Sequence, residues 1–251
     1  MNRKSLFLVM SFLLILTGFV LTEFIIGANN LQDKNVMSEE IFGKMSWSVA
    51  ETTPEQLKRR ITKKKIETFN YHRVGSDPED PDYKIGIGDY DFIDLNNDGS
   101  YELVFTDDMS GRGFYAIKVV QRIEQGYKIH YGIGGFNEAE ISDIVVDLNK
   151  DGIKEILVLE PIEEEVRGFG NITFWTAIYN WDGEKLIRVD EKFPEYYQNI
   201  LIEAAENIKE LNDELREHKD LLLPKEKEDI KRRLAGLRLL FEKAQKIVEK
   251  K

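Results

Sequence analysis

DLNNDGSYELVF, residues 94 to 105, returns as DLNKDGIKEILVL at residues 147 to 159, and the reading of this pair decides the fold. Each copy sets oxygen-bearing side chains at alternate positions of a tight loop and then runs into apolar residues. In the first loop Asp94, Asn96 and Asp98 stand at positions 1, 3 and 5, the backbone carbonyl of Ser100 at 7 and Glu102 at 9. In the second, Asp147, Asn149, Asp151, the carbonyl of Ile153 and Glu155 repeat the set. Gly99 and Gly152 hold position 6, where a sharp turn favours a residue without Cβ. An all-oxygen donor set of this size suits calcium, a hard cation that takes about six to eight oxygens.

Asp, Asn and Gly also build ordinary turns, so one loop alone decides little. A carboxylate at position 9 in both copies is what a plain turn has no use for, and it favours calcium. An EF-hand needs a bidentate Glu at position 12 and a helix after it. Position 12 is Phe105 in one copy and Val158 in the other, each inside a strand-like run.

Working outward, Asp94 and Asp147 lie 53 positions apart, and an Arg-Gly-Phe triplet at 112 to 114 recurs at 167 to 169. FYAIKVVQRIEQGYKIHYG and TFWTAIYNWDGEKLIRV follow in the two copies, each rich in β-branched and aromatic residues around a glycine turn. A unit of roughly 55 residues is present twice. Ser76 to Asp82 reads as an acidic linker ahead of it, and Trp181-Asp182-Gly183 as a tight hairpin turn. The two-repeat β domain is expected over 76–194.

Residues 1–28 read as a signal peptide or membrane anchor: Arg3 and Lys4 precede an uncharged apolar run from Ser5 to Thr22. Both fates stay open, with residues 5–26 as the tether if the segment is retained. Residues 29–75 form a partly helical segment, in which Thr53-Pro54-Glu55-Gln56 predicts a helix start and a short helix to about Ile66. That helix carries Lys58, Arg59, Arg60, Lys63, Lys64 and Lys65, a solvated face or a contact for anionic lipid or the acidic loops.

From 195 to 251 the period changes. Tyr197, Leu201, Ala204, Ile208, Leu211, Leu215, His218 and Leu222 recur at steps of three and four. After Pro224 the pattern restarts with Ile230, Leu234, Leu237, Phe241, Ala244 and Val248, which predicts an antiparallel helical hairpin. The seam serves packing of the two helices on each other, with dimerisation or a grip on the β region as the alternatives.

A net charge of −11 excludes nucleic acid as a natural partner, because neutralising phosphates requires a basic face. Without cysteine there is no disulfide, and His72, His130 and His218 lack the spacing of a zinc site. There is no nucleophile elbow, phosphate loop or triad order, so no catalytic residues are assigned and the chain is read as a non-enzyme. Trp175, Trp181, Tyr196 and Tyr197 are candidates for stacking on sugars, with core packing as the plainer alternative.

The motif D-x-N-x-D-G-x-x-E followed by apolar residues, met twice between about Ile87 and Val189, resembles the FG-GAP or VCBS repeat family of calcium-loop propeller blades. The resemblance implies that the loop joins the first two strands of a blade and that the side chains at positions 1, 3, 5 and 9 meet the ion. The Phe-Gly and Gly-Ala-Pro signatures of that family are absent, and propellers close with about four to eight blades, so two repeats give only an incomplete propeller. The fold class expected is α+β: a β-rich domain of two such blades followed by the helical hairpin. The function expected is an exported, extracytoplasmic calcium-binding module that supports a protein- or glycan-binding surface. The alternative is a membrane-tethered assembly component that oligomerises through its hairpin.

Overall fold

The computed structural model describes residues 36–37, 42–74, 86–108, 115–124, 126–130, 134–135, 140–162 and 173–250. Residues 1–28, expected to be a signal peptide or membrane anchor, the stretch 76–82 expected to be a linker, and both Arg-Gly-Phe triplets lie outside the described residues. The chain is mixed α and β: two antiparallel sheets and a pair of C-terminal helices packed on each other, with no closed barrel among the described residues.

The first sheet is built on a meander of β2 (Gly86–Ile93), β3 (Glu102–Asp108), β4 (Tyr115–Ile123) and β5 (Gly126–His130). Two short strands extend it: β1 (Val36–Met37) pairs with β5, and β6 (Gly134–Gly135) pairs with β4. The second sheet is a four-stranded meander of β7 (Val145–Val146), β8 (Glu155–Pro161), β9 (Phe174–Trp181) and β10 (Leu186–Arg188). The oxygen-rich loops occupy corresponding places, each between the first two strands of its meander. Their register agrees as well: Ile93 opposes Glu102 in one, and Val146 opposes Glu155 in the other.

Alternation along the strands fixes which core each residue enters. Leu103, Phe105 and Val120 turn to one side of the first sheet, and Val104, Ile117 and Val119 to the other. The first side is covered by Phe42, Trp47 and two helices, α1 (Pro54–Arg60) and α2 (Lys63–Val74). Tyr127 anchors this core, edge-on to Phe42 at 5.0 Å, with its hydroxyl donating to the Gly43 carbonyl at 2.6 Å. Truncating a fully buried aromatic here, such as Trp47 or Phe69, is expected to cost about 3 to 5 kcal/mol.

α1 begins as its sequence predicts: the Thr53 hydroxyl accepts from the Gln56 N–H at 3.4 Å, and the Gln56 side chain accepts from the Thr53 N–H at 3.0 Å. It does not run on to Ile66. Ile61 is extended, and the Thr62 carbonyl accepts from Lys65 and Ile66 to start α2, which continues to Val74. One straight helix would stack Arg59 on Lys63 and Arg60 on Lys64 at like-charged i,i+4 spacing. The break relieves that and brings Leu57, Ile61, Ile66 and Phe69 into one core. Several of the cations are used internally: Lys58 pairs with Asp91 at 2.8 Å, Lys63 donates to the Gly88 carbonyl and Lys65 to the Arg60 carbonyl.

The other side of the first sheet shares a larger core with the second sheet and with the helices α4 (Pro194–Glu217) and α5 (Pro224–Val248). A single turn, α3 (Ile141–Ile144), contributes Ile141 and Ile144. Trp175 stacks flat on Tyr197 at 4.6 Å, and the Tyr197 hydroxyl donates to the Thr176 carbonyl, which seats α4 on the sheet. Buried Asp190 accepts from the Trp175 indole, the Ile178 N–H and the Arg188 guanidinium, and Arg188 reaches on to Glu160. Farther from the sheets, Leu211, Ile230 and Leu234 close the hairpin on itself with Ile208, Leu215, Leu222 and Leu237 around them.

His218 departs from the predicted seam. α4 ends at Glu217, and His218 is an exposed capping residue whose carbonyl accepts from Leu221 and Leu222. Trp175, Trp181 and Tyr197 are buried and Tyr196 packs against the same core, so the first three offer no stacking face for a sugar.

Candidate functional site

Backbone conformation is the first thing the two loops share. Asn97 and Lys150, at position 4, lie at φ of 58° and 61°, and Gly99 and Gly152, at position 6, at 85° and 93°. Two left-handed residues separated by one ordinary residue curl the chain so that its N–H groups point inward. The first Asp of each loop answers them. Asp94 accepts from the Asp98 and Gly99 N–H groups at 3.0 and 2.9 Å, and Asp147 from Asp151 and Gly152, both at 3.1 Å. The Asn96 amide donates to Asp98 at 3.0 Å and the Asn149 amide to Asp151 at 2.8 Å. Asp98 in turn accepts from the Ser100 N–H, and Asp151 from the Ile153 N–H, each at 2.8 Å.

The position 9 glutamates reach back into the loops. Glu102 accepts from the Leu95 N–H at 3.1 Å and Glu155 from the Leu148 N–H at 2.8 Å, and each is only 1% exposed. Each loop is also tied to the unit that precedes it. At position 8, the Tyr101 N–H donates to the Trp47 carbonyl, and the Lys154 N–H to the Leu95 carbonyl, both at 2.8 Å. A Cβ on Gly152 would stand 3.0 Å from the Asn97 amide, so the loops touch.

Their surroundings differ at three atoms. In the second loop the Asn149 Oδ1 accepts from the Asp151 N–H at 3.1 Å, the Asn180 amide donates to Glu155 at 2.9 Å, and the Lys154 ammonium sits 3.3 Å from Asp147. In the first loop the Asn96 Oδ1 is sealed from solvent with no partner. Gln121, one step past the Leu103–Val120 pair and thus in the place of Asn180, turns away to the Gly183 carbonyl at 2.9 Å. Tyr101 stands where the second loop has Lys154.

The electrostatics follow. Burial pushes the Glu102 carboxyl up to about 8, helped by the charges of Asp98 and Asp94; the Leu95 N–H opposes the shift. The Trp181 indole faces the same carboxyl and holds it down slightly, but its N–H completes no hydrogen bond of standard geometry. Around Asp147 the balance reverses: desolvation raises it, and the Lys154 ammonium with the Gly152 N–H outweighs that and leaves it below the ordinary value. Burial, and then Asp94, push the Tyr101 hydroxyl upward.

All ten residues expected to serve the ion therefore lie in the two loops or at the first residue of the strand that follows. They do not form a ready cage of acids. Among the described residues no three Asp, Glu or His side chains gather closely enough to hold an ion by themselves. A cation at the first loop would have to use the Asn96 amide oxygen and the Ser100 carbonyl beside the carboxylates, and the orphaned Asn96 Oδ1 is an acceptor in need of such a partner. The sequence did not single out Gln121, Asn180 or Lys154, and it marked Trp181 only as a turn residue and a candidate for stacking on sugars; Glu-to-amide pairing across strands is the signal that would have found Asn180.

No protein-family model, curated protein or solved structure matches this chain. Among the described residues no helix is long and apolar enough to cross a membrane.

Proposed function

We propose that the chain is an exported, non-enzymatic calcium-binding module of two FG-GAP/VCBS-like repeats, in which calcium rigidifies a β scaffold that presents a surface to a protein or glycan partner. The observation that carries the reading is the orphaned Asn96 Oδ1 in the loop that ends on buried Glu102: a divalent cation held by both would give the amide oxygen a partner and make the carboxylate the favoured form of the glutamate. Supporting it, both loops join the first two strands of equivalent meanders, in the same register, with left-handed backbone at the same two positions. In this reading Asp94, Asn96, Asp98, the Ser100 carbonyl and Glu102 hold the ion, and Asp147, Asn149, Asp151, the Ile153 carbonyl and Glu155 form the related loop.

Calcium would act by mass action on the folded state, about 2.7 kcal/mol at a hundred times the dissociation constant. Thermal melting in a calcium series up to the millimolar range tests the reading. A rising midpoint that magnesium does not reproduce supports it, and a flat midpoint refutes it.

A tethered assembly component is the second reading. It is favoured by Leu221 and Leu223 at the hairpin tip, 79% and 64% exposed, which no part of the described chain covers. Sedimentation of the chain lacking residues 1–28 over a wide concentration range separates the two. A concentration-independent monomer counts against assembly.

A further inference from the structure

The geometry points to an unequal pair: the first loop takes the divalent cation, and the second carries its own counter-ion, the Lys154 ammonium, which lowers its affinity for calcium. This rests on the calcium reading of the loops and goes beyond it, because the repeated motif by itself implies two like sites.

Three pairs of equivalent atoms carry the inference. At position 3 the Asn149 oxygen already accepts a backbone N–H, whereas the Asn96 oxygen is buried and accepts nothing. At position 9 Glu155 has two donors, the Leu148 N–H and the Asn180 amide. Glu102 has the Leu95 N–H and faces the Trp181 indole, whose N–H completes no hydrogen bond of standard geometry, and its neighbouring amide, Gln121, is committed to the Gly183 carbonyl. At position 8 the lysine of one loop is the tyrosine of the other, and the Lys154 ammonium lies on Asp147, the residue that opens the oxygen set.

A cation entering the second loop must displace or repel a resident positive charge and take oxygens that already have donors. A cation entering the first loop also displaces backbone donors from Asp94, Asp98 and Glu102, but it meets no ammonium at position 8 and finds the Asn96 oxygen without a donor. Lys154 is thus a residue that sets selectivity between the loops. Its backbone N–H, bonded to the Leu95 carbonyl, is independent of its side chain. Replacing the side chain therefore leaves the contact between the loops in place.

The test is isothermal titration of calcium into the full chain, held in a calcium-free non-ionic detergent, for the wild type, Lys154→Gln and Asn96→Ala. The wild type is expected to bind one ion well and a second at least about tenfold more weakly, from the repulsion between a divalent ion and a neighbouring ammonium. Lys154→Gln should tighten only the weaker site, by about tenfold, and Asn96→Ala should remove the stronger one. Circular dichroism of each variant confirms that it is folded. Two wild-type sites of equal affinity that ignore Lys154→Gln would overturn the inequality and leave the calcium reading standing. No binding in the wild type or in Lys154→Gln at millimolar calcium would overturn the calcium reading, and the inference with it.

Discussion

The two loops are one backbone in two settings. Their turns, the capping of their N–H groups and their glutamates superpose residue for residue in the chain, yet the second loop satisfies every atom that the first leaves in want. The difference comes from residues outside the repeated motif, or at one of its unconstrained positions: Asn180 against Gln121 across the sheet, and Lys154 against Tyr101. Repetition of a motif therefore fixes the shape of a site, and the neighbours decide whether the site has any unmet need.

The largest effect that could break this comparison is a pH dependence. Glu102 holds its proton more tightly in the folded protein, where it titrates near 8, than in the unfolded chain, where the ordinary value is 4.5. Between those values the folded state binds more protons, so the stability of the calcium-free protein should fall as pH rises from about 4.5 to about 8 and level off above. The slope is at most about 1.4 kcal/mol per pH unit for this one group. Urea unfolding at several pH values in a chelator measures it. Glu102→Gln should flatten that component and make the calcium-free protein more stable at pH 8, and an unchanged slope would show that Glu102 is not the buried, proton-holding member of the pair.

Next in size are the glycines at position 6. Gly99→Ala and Gly152→Ala both force a side chain into left-handed backbone, at about 1 to 2 kcal/mol each. Around Gly99 a Cβ meets nothing within 4 Å, whereas at Gly152 it stands 3.0 Å from the Asn97 amide. Gly152→Ala is therefore expected to be the more costly and to disturb calcium binding at the other loop, which chemical denaturation and titration together would show. Equal costs and no cross-effect would mean that the loops are not in working contact.

The sharpest and smallest comparison is Asn96→Ala against Asn149→Ala in calcium-free protein. Asn149 loses an accepted hydrogen bond, about 1 kcal/mol, while the Asn96 oxygen has none to lose. Each also loses its amide bond to the following Asp, so the difference between the two variants, and not either alone, is the quantity to read from denaturation midpoints. In saturating calcium the order should invert.

Much of the scaffold was legible locally. Gly126 and Gly183 mark hairpin turns, the runs around them are strands, and Thr53 with Gln56 caps a helix, because each of these depends on residues a few positions apart. The division into two sheets and a helical pair was legible for the same reason. What escaped depends on partners far along the chain. Phe42 and Trp47 enter the core through contacts with Phe69, Phe92 and Tyr127, and nothing in their own polar surroundings announces it. His218 fits the heptad spacing but falls one residue past the helix end, where the chain needs a cap. The turn shape of the loops was readable from spacing; the unequal hydrogen bonding of their side-chain oxygens was not, since it depends on Asn180 and Gln121 on neighbouring strands.

Crystals grown in millimolar calcium test the central claim most directly. The account predicts density at the first loop for an ion about 2.3 to 2.6 Å from the Asn96 Oδ1, the Ser100 carbonyl and carboxylate oxygens of Asp94, Asp98 and Glu102. A first loop unchanged in that crystal, with the Asn96 oxygen still without a partner and Glu102 still bonded to the Leu95 N–H alone, would contradict it.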